Sequence, residues 1–141
     1  MRRLSWLLCV CFVLPGSSAF SQSPAAGEVP RVLVLGFDAY KMGGPDEAMR
    51  TWLRGSPNEG NHDVISQASV LRSVQETYGA YRGYQVISTR ELTSSARILY
   101  MTIDYERGPV FAKFVLYRAE LGWIVTDLAF NTSDTAILPT Q

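Results

Sequence analysis

Cysteine is nearly absent from the 141-residue chain, and both copies, Cys9 and Cys11, fall within its first eleven residues. From residue 12 onward no thiol remains, which excludes disulfides, thiolate catalysis and cysteine-ligated zinc or iron–sulfur centres. Histidine occurs once, at His62, so a metal site would have to be built almost wholly from carboxylates. No metal and no cofactor are expected. Lysine is also scarce: Lys41 and Lys113 are the only two, and the other basic residues are arginine. Setting Arg2 and Arg3 aside with the leader takes the 13 basic residues to 11, against 13 acidic ones. No basic run breaks this balance, so nucleic acid and anionic membrane surfaces are not expected as partners.

The residues that are present at the start have a recognisable order. Arg2 and Arg3 precede an apolar run from Leu4 to Leu14, followed by Pro15, Gly16, Ser17, Ser18 and Ala19. A basic region, an apolar segment too short to span a bilayer and small residues beyond it are the parts of a signal peptide. It is assigned to residues 1–21, with cleavage between Ala19 and Ala26, and the protein is expected to be exported to the periplasm or secreted. No membrane span is expected after cleavage. Bulky Trp6, Leu7 and Leu8 before Cys9 do not suit a lipid-anchor site. Residues 22–30 read as a flexible leader rich in Ser, Pro and Ala, residues 31–134 as one domain, and 135–141 as a tail.

Within the domain, Val32, Leu33, Val34 and Leu35 could form a buried strand, but Leu33, Phe37 and Tyr40 keep helical spacing up to Gly43 and Gly44, and a helix stopping there is expected. Pro45 then occupies a first helical position, with Asp46 and Glu47 behind it and Ala48, Met49, Trp52 and Leu53 forming an apolar face closed by Gly55. A third helix is expected from an Asn61 cap to Gly79, with Val64, Ala68, Leu71, Val74 or Gln75, and Tyr78 as its stripe. His62 belongs to that helix start and is read as surface capping.

After Gly83 the period changes to two. Residues 84–92, 96–106, 110–118 and 123–131 alternate and are rich in Val, Ile, Thr and aromatics, with connectors so short that neighbouring strands must run antiparallel. Helices first and a four-stranded meander afterwards make an α+β domain with helices on one sheet face.

The segments "AMRTWLRGSP", "ETYGAYRGYQVI" and "YERGPVFAKFVLYRAELGWIVTDLAFN" are similar to those of small exported bacterial domains of the nuclear transport factor 2-like superfamily, the cystatin-like α+β cone. The resemblance spans residues 32–131. It implies a curved sheet wrapped on helices with a pocket at the wide end, to which Phe37, Tyr40, Trp52, Tyr78, Phe114 and Trp123 are assigned. Enzymatic members resembling polyketide cyclases, dehydratases or steroid isomerases carry an acid, a histidine or a tyrosine in that pocket. Others bind peptides or small ligands, or dimerise through the sheet.

The best catalytic candidates are Asp104, as a base, and Tyr100, as an oxyanion donor, which share one strand face with Thr102 and Glu106. The competing reading turns that polar set to water and Leu99, Met101, Ile103 and Tyr105 to the helices. In the third strand Phe111, Lys113, Val115 and Tyr117 alternate with Ala112, Phe114, Leu116 and Arg118, so both faces are largely apolar. In the last strand Trp123, Val125 and Ala129 alternate with Ile124, Leu128 and Phe130. A sheet apolar on both sides calls for a second cover, and a homodimer through the sheet is expected. The triplet Asn131-Thr132-Ser133 matches a glycosylation sequon incidentally. The function expected is a non-enzymatic binding domain holding a small apolar ligand or a protein partner. The alternatives are a cofactor-independent lyase or isomerase, and a structural subunit of an envelope assembly.

Overall fold

A computed structural model describes residues 28–140. The expected signal peptide and most of the leader lie outside the described residues.

Helix α1 (Arg31–Trp52) starts after Pro30, whose carbonyl accepts from the Leu33 and Val34 amides. It is a hairpin rather than one rod. A continuous helix would separate residues 33 and 52 by about 28 Å at the usual rise per residue. Instead the indole Nε1 of Trp52 donates to the Leu33 carbonyl at 3.2 Å. The reversal occurs at Gly44, the one non-helical residue of the segment, with φ 81° and ψ −169°. A left-handed φ of this kind is open to glycine and costly for other residues, and Pro45 restarts the helix where its missing N–H is not needed. The two limbs, 31–43 and 45–52, are the two helices expected from the spacing.

The expected third helix is divided. Asn61 caps α2 (His62–Ile65) through the Asp63 amide at 3.0 Å, and α3 (Gln67–Tyr78) follows after Ser66. The break is a tightening, because Ser66 has helical angles and its carbonyl accepts from Ser69, three residues on. Gly79, at φ 88°, ends α3 as expected.

The sheet is an antiparallel meander in the order β1 (Tyr81–Thr93), β2 (Ala96–Tyr105), β3 (Gly108–Ala119) and β4 (Gly122–Asn131). Strand β1 begins before Gly83 because that glycine sits at a shift of register inside the strand. The β2–β3 turn is tied to the end of α3 by Glu106 N to Ala80 O and Arg107 N to Tyr78 O. That end is the base of the sheet. The β1–β2 and β3–β4 turns form its rim, joined by the Arg118 amide donating to Ser95 O at 2.8 Å.

The inner face is decided by burial. Leu99, Met101, Ile103, Tyr105, Val110, Ala112, Phe114 and Leu116 are buried and pack with Leu33, Phe37, Met49, Trp52 and Leu71 from the helices. Strict alternation does not hold along β4. The pairing runs from Val115↔Asp127 directly to Leu116↔Val125, leaving Thr126 as an extra residue. This bulge re-phases the strand, so Val125, Leu128 and Phe130 all face inward and Ala129 faces out. The loop after α1 closes on it, with Asn58 Nδ2 donating to the Thr126 carbonyl at 2.8 Å.

Candidate functional site

The six residues assigned to a pocket go to three separate places. Phe37, Trp52 and Phe114 fill the middle of the fold. Their rings meet edge to face, at 5.1 Å for Phe37–Trp52 and for Trp52–Phe114, and Phe130 closes the cluster at 5.8 Å from both Trp52 and Phe114. Such contacts are core packing, and removing one of the large rings costs about 3–5 kcal/mol. Tyr40 lies at the base. Half-buried Tyr78 is also there, against the Gly108 backbone. Trp123 is at the rim, half-exposed.

The base is a tyrosine cluster. The Tyr40 and Tyr105 hydroxyls are 2.8 Å apart, Tyr40 also donates to Gln75 Oε1 at 3.3 Å, and the Tyr81 ring lies 4.6 Å from that of Tyr40. Burial, reinforced by the bond to Tyr105, pushes the Tyr40 hydroxyl far above the ordinary tyrosine range. Burial raises Tyr105 as well, and it pushes Tyr81 up to about 12. Tyrosines held this firmly in the protonated form act as hydrogen-bonded packing. Next to them a cleft of ≈ 320 Å³ is lined by Asp38, Lys41, Arg82 and Tyr84, with Tyr84 stacked on Phe37 at 4.0 Å.

Asp104 and Tyr100 share the outer face of β2, away from the helices. Asp104 accepts from Gln85 Nε2 at 2.7 Å, across the β1–β2 ladder. Tyr100 is buried there, opposite Ser88 and Lys113. Neither lines the helix-covered interior. His62 is exposed in the first turn of α2.

The rim gathers residues that sequence reasoning left apart. A cleft of ≈ 350 Å³ opens between α1 and the β3–β4 turn, lined by Arg31, Val32, Leu35, Arg54, Leu121 and Trp123 together with Thr51 and Gly122. Among the described residues its walls carry two arginines and no carboxylate. Leu35 is 46% exposed and Leu121 101%. Around Trp123 two more arginines converge: the Arg97 Cζ is 4.0 Å from the ring centroid and the Arg118 Cζ 5.0 Å. Cations over an indole face are drawn to its negative potential, and most strongly where water is scarce. The Arg97 side chain is only 14% exposed, and its nearest carboxylate oxygen, Glu91 Oε1, stands 3.7 Å away. A signal for this was present, since Arg97 keeps the phase of Leu99 and Met101 and Arg118 keeps the phase of Phe114 and Leu116. Each places a cation at the rim end of a buried apolar stripe.

A helical hairpin, a third helix and an open antiparallel meander, in that order, make this a cystatin-like α+β fold, as the resemblance implied. No family model matches the chain, and neither does any curated protein. Among solved structures it is similar to a domain of unknown function with a cystatin-like fold from Nostoc punctiforme PCC 73102. The identity there is 14% and the TM-score 0.46, over 72% of this chain and 73% of that one. It is also similar to the intermembrane space region of the chloroplast protein ARC6, at 10% identity and TM-score 0.40, over 72% of this chain and 88% of that one. Neither likeness bears on what the rim holds. Among the described residues, no helix is long and apolar enough to cross a membrane.

Proposed function

We propose that the protein is an exported, non-enzymatic binding domain that holds its ligand or partner at the rim of the sheet rather than inside the cone. The observation that carries this reading is the apolar, arginine-walled cleft beside half-exposed Trp123, set against an interior closed by Phe37, Trp52, Phe114 and Phe130. Small-molecule sites are concave and mostly apolar with a few directed polar groups, and the rim has that composition. The acid–base candidates Asp104 and Tyr100 point away from both, which favours binding over a lyase or isomerase. Export rests on the basic and apolar leader of residues 1–21.

A second reading concerns assembly. The outer face carries Ile98, Phe111, Val115 and Ile124, none of which joins the helix-packed core, together with Tyr117, which is 49% exposed. We propose that a second copy of the chain covers it, as in an isologous dimer.

Native mass spectrometry of protein recovered from the periplasm tests both readings in one spectrum. The expected result is a dimer carrying extra mass that is lost on denaturation and is absent from Leu35→Ser/Leu121→Ser. A bare species overturns the binding reading, and a monomer at micromolar concentration overturns the dimer.

A further inference from the structure

The rim contains two buried polar groups that no acceptor or donor among the described residues reaches, Arg97 Nε and Thr89 Oγ1. They are neighbours. Thr89 pairs with Leu99 and Arg97 with Glu91, so the two side chains share the inner face one diagonal step apart, a separation of about 7–8 Å between Cα atoms. A guanidinium offers five N–H donors in a rigid fork, and Arg97 spends its planar face on Trp123 while its edge meets only Glu91 at 3.7 Å. Buried donors of this kind are normally paired, and a charged one strongly so. The neighbouring cleft shares Trp123 as a wall and adds Arg31 and Arg54, with Val32, Leu35 and Leu121 between them.

Resting on the rim-binding reading above, we infer that the ligand is a small amphiphilic carboxylate. Its headgroup takes the Arg97 edge with the Thr89 hydroxyl beside it, and its apolar chain runs past Trp123 into the cleft. Charge complementarity favours the anion: among the described residues the cleft is walled by Arg31 and Arg54 without an acid, and at its head Arg97 and Arg118 stand against the single carboxylate of Glu91. The planar fork meets a carboxylate or a phosphate through two parallel bonds, and the singly charged carboxylate is the one that suits a headgroup site already holding Glu91. The cleft, at ≈ 350 Å³, is of small-molecule size. Stacking on Trp123 holds the guanidinium in place before the ligand arrives, so less order is lost on binding.

The test is a fluorescence titration of the exported protein with decanoate, decanol and acetate, following the part of the tryptophan signal that Trp123→Phe removes. Trp52 is fully buried and serves as an internal reference for an intact core. Decanoate is expected to give a saturable change, at least tenfold tighter than decanol, with acetate silent. Arg97→Gln is expected to weaken decanoate tenfold or more and to leave decanol unchanged, while Thr89→Val lowers decanoate affinity about threefold. If Arg97→Gln disturbs the Trp52 signal, Thr89→Val and the decanoate-to-decanol ratio of the unaltered protein decide the outcome. Equal affinity for decanol and decanoate overturns the carboxylate assignment and leaves the rim-binding reading standing. Silence of Trp123 towards all three probes overturns the carboxylate assignment too, and the rim-binding reading is then decided by the native mass spectrum alone.

Discussion

Replacing Gly36 with alanine tests the helical hairpin at its tightest point. A Cβ built on Gly36 would lie closer than 3.0 Å to three atoms of the Trp52 indole, Nε1, Cδ1 and Cε2. The ring has nowhere to go. It is fully buried, its N–H is committed to the Leu33 carbonyl, and Phe37, Phe114 and Phe130 surround it. Overpacking of a close-fitted core costs about 1–3 kcal/mol. Displacing the indole also breaks a buried hydrogen bond and leaves a polar group unpaired, for about 1–3 kcal/mol more. The helix propensity gained by alanine returns less than about 1 kcal/mol. Gly36→Ala is therefore expected to lose about 3 kcal/mol, which for a domain of this size lowers the melting temperature by more than 10 °C. Gly43→Ala, in the same limb, is the milder comparison: a Cβ there lies 2.6 Å from Glu47 Cγ, but Glu47 is exposed and can turn towards water, so the loss should be clearly smaller than at Gly36. Urea denaturation followed by circular dichroism reads both. A Gly36→Ala protein as stable as the parent would mean that the two limbs do not pack as described.

Tyr40→Phe leaves the buried Tyr105 hydroxyl without its partner and should cost about 1–3 kcal/mol, and the double change with Tyr105→Phe should cost less than the sum of the two singles; a double-mutant cycle in urea measures this. Because Tyr40, Tyr81 and Tyr105 are all raised in the folded state, the unfolded chain ionises first on the alkaline side. Stability should be level below the ordinary tyrosine value of about 10 and fall as pH rises from there towards 12; denaturation midpoints across that range check the sign, and a flat profile contradicts it. Asn58→Ala removes the cap on the Thr126 carbonyl and should cost about 1 kcal/mol, with hydrogen exchange speeding up around residues 125–127 rather than throughout the sheet.

Legibility differed from element to element. The helical hairpin could be read because Gly43, Gly44 and Pro45 are local breakers, and a breaker acts on the residues next to it. The meander could be read because its connectors are too short for any other path. The phase of β4 could not. A bulge at Thr126 is an insertion relative to a partner strand, and its stabilising contact, Asn58, comes from 68 residues away. Alternation alone therefore placed Val125 and Leu128 on opposite faces. The candidate site was dispersed for a similar reason. Arg31, Arg54, Arg97 and Arg118 belong to no basic run, and they converge only when the α1 hairpin is laid against the rim. The six aromatic residues assigned to one pocket share hydrophobicity and little else, so the pattern could name them without saying which would fill the interior and which would remain at its edge.

The irregular pairing of β1 has a bearing on how the protein survives at high concentration. An open sheet presents free backbone groups at its edge strands, and a foreign strand that finds a long, regular edge can add to it and seed aggregation. Strand β1 is thirteen residues long, yet it shifts step between Tyr81 and Gly83, between Val86 and Ser88, and again between Glu91 and Thr93. An incoming chain falls out of step about every fifth residue, before enough bonds accumulate to hold it. The opposite edge is interrupted at Thr126, where the carbonyl is already occupied by Asn58. Both edges of the open sheet are thus poor templates for fibres, and removing Ile87 alone would lengthen the regular stretch on which such growth begins.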